Sequence, residues 1–222
     1  MKYIAAIDYD HLDNGVFLTS LARSLSQQQG NPDLRPIIIH SDSEYTERII
    51  QTGVMRDEAM IRSIKDLNNR LIALFADEGV SAIGINPYQR NLITQQNGTL
   101  TLDHSFLDTL PSQSVLLLST LIQNTEKDKV EPLSLPRLAT FLHEELQADQ
   151  LFLFSKADES EIFTSDKSGS ELSWEKMDPE FRNQQIPDEF DNFNQPIKLA
   201  TARDFNQLPD LGQTITVSSD QN

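Results

Sequence analysis

The sequence predicts an α/β protein built as a three-layer αβα sandwich, with helices on both faces of a central, mostly parallel sheet. Three observations carry that expectation. Short apolar runs alternate with stretches of helical periodicity, the order that joins parallel strands through helical crossovers. Glycine or proline punctuates the junctions, at Gly30, Pro36, Gly53 and Gly79. The length of 222 residues suits one compact unit, 1–222, with an N-terminal lobe to about residue 110 and a C-terminal lobe beyond it.

The elements follow in order. Tyr3 to Ile7 is apolar throughout and reads as a buried first strand; Val16 to Gln28 reads as a helix ending at Gly30. Pro36 to His40 is an isoleucine-rich second strand, and Ser43 to Thr52 a short helix stopped by Gly53. From about Asp57 to Glu78, Met60, Ile64, Leu67, Leu71, Leu74 and Phe75 recur at helical spacing and make one wide apolar stripe, which suits core or a subunit contact. Val80 to Ile85 is a third strand. Leu92 to Thr94 and Thr99 to Thr101 suggest a hairpin turning at Asn97-Gly98. Val115 to Leu121 and Leu151 to Phe154 complete the central strands, with a helix from Pro136 to Gln147 between them. Ser155 to Asn194 is crowded with acids and reads as loops, a hairpin and short helices on a solvated surface; Ile197 to Thr201 and Gln213 to Val217 close the sheet.

Composition narrows the function. A formal charge of −16 repels nucleic acid and anionic membranes, and leaves a polyanion such as ATP dependent on a local cationic site or Mg²⁺. The opening MKYIAAIDYDHLDN has only a short apolar run ending in acids, which fits a strand better than a signal peptide or a membrane span; a cytoplasmic location is expected. The chain has no cysteine, hence no disulfide or thiolate metal site. Its four histidines, His11, His40, His104 and His143, form no recognisable metal-ligand spacing. There is no GxSxG, Walker loop or GxGxxG.

Several stretches resemble the amino acid kinases, nearest to N-acetylglutamate kinase. Gly84-Ile85-Asn86-Pro87-Tyr88-Gln89-Arg90-Asn91-Leu92-Ile93 is similar to the family's GLTGKDGNLI without a gap, keeping both ends and losing the interior glycines. The first strand of the family leads into a lysine and paired glycines, as in VIKYGG; here the same place reads Ala6-Ile7-Asp8-Tyr9-Asp10-His11. The second ends in HGGG; here it ends in His40-Ser41-Asp42-Ser43. The family's GLRVTD-like arginine motif should fall near Gly53-Val54-Met55-Arg56-Asp57, in a shortened loop. Leu146 to Phe154 resembles KADKLIFLTD, the NADT-like motif has no counterpart at Ser134-Leu135-Pro136-Arg137, and Leu211 to Ile215 is similar to a closing strand of the family.

The resemblance implies an ATP- and Mg²⁺-dependent phosphotransferase acting on a carboxylate, and the departures imply a degenerate member. Asp8 stands where the catalytic lysine belongs. Reversing one charge about 4 Å from a phosphate oxygen turns roughly 4 kcal/mol of attraction into similar repulsion at an effective dielectric near 20. Each ~1.4 kcal/mol is tenfold in rate, so no residue here is assigned as catalytic; Asp8 and Asp10 are degenerate positions. A ligand of the acyl amino acid class would meet His40, Ser41, Asp42, Ser43, Arg56, Gly84, Asn86, Tyr88 and Asn91, at the carboxyl ends of the strands. ATP and Mg²⁺ are the expected cofactors if any activity is retained, no resident metal is expected, and the long helix is the expected homodimer face or the contact to an active paralogue. A competing reading takes Asp8 and Asp10 as the DxD of a haloacid-dehalogenase-type, Mg²⁺-dependent phosphatase, with Ser41 or Ser43 as its downstream hydroxyl. A weakly active acetylglutamate kinase is the remaining alternative.

Overall fold

The computed structural model describes residues 1–156, 171–208 and 215–218. Residues 157–170 of the acidic segment, and residues 211–214 of the stretch that resembles the family's last strand, lie outside the described residues. Strands run in chain order as β1 (Lys2–Ile7), β2 (Arg35–His40), β3 (Ala82–Ile85), β4 (Ile93–Gln96), β5 (Thr99–Leu102), β6 (Val115–Ser119), β7 (Leu121–Asn124), β8 (Lys129–Pro132), β9 (Gln150–Phe154), β10 (Glu171–Ser173), β11 (Ile197–Ala200) and β12 (Ile215–Ser218). Helices are α1 (Tyr9–Leu12), α2 (Gly15–Gln28), α3 (Tyr45–Ile50), α4 (Arg56–Asp77), α5 (His104–Leu107), α6 (Leu135–Glu145) and α7 (Pro179–Gln185).

The main sheet has the order β10-β12-β11-β9-β1-β2-β6-β3, and every neighbouring pair is parallel except β11 with β12. Successive residues of a strand face opposite sides, and here the alternation sorts the core into two. Ile4, Ala6, Ile37, Ile39, Leu118, Leu151 and Leu153 pack with α6 on one face. Tyr3, Ala5, Ile7, Ile38, Leu117, Phe152 and Phe154 pack with α2 and α4 on the other. Strands buried on both faces read as unbroken apolar runs, which is why β1 and β2 were legible. The three layers are therefore helix, sheet and helix.

Local signals set the helix ends. Asn14 caps α2 by accepting from the Phe17 N–H at 3.0 Å. Gly79, at φ 81°, ends α4, with its N–H on the Ala76 carbonyl and the Val80 N–H on Phe75. Most of the α4 stripe is core: Ile64, Leu67, Leu71 and Phe75 are buried.

The expected strand Val115 to Leu121 is two strands. The chain leaves the main sheet at Ser119, passes Thr120, and enters a second sheet of order β5-β4-β7-β8. A continuous apolar run hides the bend because burial persists across it. The hairpin β4–β5 pairs antiparallel, with Asn97 and Gly98 at φ 50° and 77°, the left-handed pair a tight hairpin turn requires. The acidic segment also differs from the solvated surface expected of it: Trp174, Met177, Ile186, Phe190 and Phe193 are buried in the core beside α6. Widely spaced aromatics carry no periodicity, so their burial was invisible in the pattern.

Candidate functional site

Strand register assembles the site. Ile7 pairs with His40, and His40 with Ser119, while Leu153 and Phe154 pair with Leu199 and Ala200. The residues just past these ends, Asp8, Ser41, Ser155 and Thr201, are thus brought to one edge of the sheet.

Asp8 is buried and caps α1, accepting from the N–H groups of Asp10 at 3.1 Å and His11 at 3.4 Å. Its other oxygen lies 2.5 Å from His11 Nδ1, and His11 Nε2 lies 3.1 Å from the Ser155 carbonyl. Both ring nitrogens therefore face acceptors, and the ring packs against Phe17, centroids 4.2 Å apart and tilted 48°. The carboxylate is consumed by its own loop. Asp10 is exposed and does not join it. The DxD reading thus finds no support: the first aspartate is tied into a cap and an imidazole pair, and the second faces solvent.

The group that completes the cluster is Glu189, in the turn after α7. Its carboxylate accepts from the Tyr9 N–H at 2.9 Å and from Ser41 Oγ at 3.1 Å, bridging the tips of β1 and β2. Burial, with Asp8 and Asp42 nearby, pushes its carboxyl up to about 7. Burial likewise raises Asp42, which accepts from Thr46 Oγ1 at 3.2 Å. Tyr9 is raised by burial and by Asp42, Glu47, Asp13 and Glu44. This end of the sheet is strongly anionic, and the cations near it are engaged, Arg56 with Glu47 at 2.9 Å and Lys156 with Asp188. Among the described residues, no group of carboxylates and imidazoles is arranged to hold a metal ion.

His40 is wholly buried. Nδ1 donates to the Ser41 carbonyl at 2.9 Å and Nε2 accepts from Asn68 Nδ2 at 3.1 Å, while burial pulls its pKa down to about 4, so the ring is neutral. Ser43 is buried as well. Gly84 admits α4: a Cβ there would lie 2.4 Å from Asn68 Oδ1 and 2.7 Å from Ile72 Cδ1. Asn86 accepts from Ser119 Oγ at 2.8 Å, and Tyr88 lies under Lys65 at 4.8 Å. Arg90 and Asn91 both adopt left-handed φ, 56° and 54°, on the surface. Position 90 is where the resembling motif has a glycine, and the backbone conformation that glycine favours is retained with arginine in it.

The structure thus groups Asp8, Ser41 and Asp42 around Glu189, buries His40 and Ser43 behind them, and leaves Asp10, Arg56 and Asn91 outside. Glu189 was missed because it sits in the acidic segment, and no spacing ties it to residues 180 and 148 positions away. Two cavities lie elsewhere. One, about 520 Å³, runs beside β3 between Ile83, Ile85, Arg90 and Phe106; the other, about 390 Å³, lies at the amino ends of β1, β2 and β6.

The sequence matches no protein-family model and no curated protein. Solved structures do match. Isopentenyl phosphate kinase superposes over 98% of this chain and 99% of its own, at TM-score 0.60 and 12% identity. N-acetylglutamate synthase from Neisseria gonorrhoeae, complexed with coenzyme A and L-arginine, matches 99% of this chain at TM-score 0.62 and 16% identity. Aspartate kinase from Synechocystis matches 98% at TM-score 0.63 and 9% identity. The chain spans 61% of the synthase and 40% of the aspartate kinase. This is the amino acid kinase fold. No helix among the described residues is long and apolar enough to cross a membrane.

Proposed function

We propose that this chain is an N-acetylglutamate kinase-like protein whose phosphotransferase activity is lost or much reduced, and which keeps a binding or regulatory role in the cytoplasm. One observation carries the reading. The Glu189 carboxylate takes the Tyr9 N–H and the Ser41 hydroxyl, between the two strand tips where the resembling family has its lysine with paired glycines and its HGGG. An internal anion already holds donors that an incoming anion would need. Like charges about 4 Å apart repel by roughly 4 kcal/mol at an effective dielectric near 20, and Asp8 and Asp42 add to that field. Phosphoryl transfer depends on positioning and charge neutralisation, and the side chains at this edge supply neither. They do not fit a nucleotide polyphosphate with Mg²⁺, so no catalytic step is derived through one.

The ligand we favour is of the acyl amino acid class. The cavity beside β3 supports it, offering the Arg90 guanidinium for a carboxylate and Ile83, Ile85 and Phe106 for an apolar acyl group. Homodimerisation through α4 belongs to the same reading; Met60, Ile61 and Leu74 remain partly exposed along it. Calorimetric titration with ATP–Mg²⁺, paired with a kinase assay on N-acetylglutamate, tests the proposal. Binding no tighter than millimolar and no turnover are expected; steady turnover by the unmodified protein refutes it.

A further inference from the structure

We infer that the cavity at the amino ends of β1, β2 and β6 is a binding site for a small monocarboxylate with an apolar tail. It lies at the opposite edge of the sheet from Glu189 and stands whether or not the kinase-like reading holds. On each of β1 and β2 an apolar row faces α6, Ile4 and Ala6 on one, Ile37 and Ile39 on the other. Each row begins with a cation. Lys2 and Arg35 occupy those starting positions and are direct register partners, so two positive side chains leave neighbouring strands about 5 Å apart toward one face. Like charges placed side by side on a sheet destabilise it.

Nothing described nearby neutralises the pair in full. Lys2 Nζ donates to the Leu146 carbonyl at 2.8 Å, and Asp149 takes the Lys2 backbone N–H. Arg35 forms no ion pair with any described carboxylate, in a chain of net charge −16. Of the other ionisable groups on the wall, His104 is held by Glu145 at 2.8 Å, and Asp108 supplies one negative charge. On the wall itself Lys2 and Arg35 face one carboxylate, Asp108, while Asp149 is held on the Lys2 backbone N–H; the excess is at most one positive charge, which suits a monocarboxylate over a polyphosphate. Arginine's planar fork matches a carboxylate. Ile37, Leu107, Leu110, Leu116 and Leu146 make an apolar portion of the wall beside Ser112, and about 390 Å³ is ample for a short alkyl chain.

The test is titration of the full chain with hexanoate, followed by amide NMR shifts and calorimetry, with hexylamine and inorganic phosphate as controls. Saturable hexanoate binding is expected, with shifts centred on residues 35, 107–116 and 146 and none of comparable size from either control. Arg35→Gln, at an exposed position, should leave the unfolding midpoint the same or slightly higher, since it relieves the repulsion from Lys2, and weaken binding about tenfold. Absence of saturable shifts overturns the inference. So does equal binding of hexylamine, which marks a merely greasy cavity, equal binding of phosphate, which marks a mere charge patch, or undiminished affinity in Arg35→Gln.

Discussion

Replacing Glu189 by Gln should stabilise the protein at alkaline pH and do nothing at acid pH. The amide oxygen can take the Tyr9 N–H, and its NH2 can donate to Ser41 Oγ, whose hydroxyl accepts as well as donates, so both contacts keep a partner while the charge goes. The magnitude follows from the carboxyl's rise from 4.5 to about 7, chiefly through burial and then through Asp8 and Asp42. At 1.36 kcal/mol per pH unit the ionised form costs folding about 3 kcal/mol, reduced to about 1–2 kcal/mol because the side chain is partly exposed. The sign is that of a raised acid. Above pH 7 the native state carries an unwelcome charge and the cost is full; as the pH falls from 7 toward 4.5 the native carboxyl takes up its proton first and the cost disappears. Thermal unfolding at pH 8.5 should place the variant about 2–8 °C above the parent, at about 2–4 °C per kcal/mol for a chain of this size. Below pH 4.5 the two should coincide. A variant that is no more stable at pH 8.5, or whose advantage persists at pH 4, would refute the placement of a penalised carboxylate between the two strand tips.

The remaining predictions rest on the same edge. His40 has the opposite sign: its pKa is lowered from 6.5 to about 4, so its contribution is intact above pH 6.5 and is lost as the pH falls toward 4, about 3 kcal/mol in all. Glu189→Gln should therefore unmask a steeper acid destabilisation between pH 6.5 and 4.5, read in urea titrations. Gly84→Ala should cost about 1–3 kcal/mol by driving a methyl into Asn68 and Ile72, and should combine non-additively with Asn68→Ala, since Asn68 holds His40. Arg90→Gly should stabilise by about 0.5–1 kcal/mol through relief of its left-handed φ of 56°, measured by chemical denaturation. Asp8→Lys should not rescue kinase activity but unfold the chain, because it removes the acceptor of His11 Nδ1 and the cap of α1 and leaves a buried ammonium in their place, at about 3–5 kcal/mol; soluble, folded Asp8→Lys with ATP turnover would contradict this.

Much of the frame was legible residue by residue. β1 and β2 are apolar on both faces, α2 and α4 carry helical stripes, and Asn97-Gly98 names its own turn. What failed had a common cause. The bend at Thr120 splits a run that is apolar on both sides of it, and Trp174, Phe190 and Phe193 enter the core from a segment whose composition is acidic.

The alternation of apolar runs with helical stripes, and hence the layered α/β class, followed from the sequence alone, because periodicity is a property of neighbours along the chain; which row of each strand meets which helical layer came from the structure. That Asp8 is spent on His11, that Glu189 seats itself on Tyr9 and Ser41, and that Lys2 stands beside Arg35 were decided only by the tertiary structure. Each of these arises where strand register and loop return bring distant groups within a few ångströms, and charge acts over that distance in space without regard to separation in sequence.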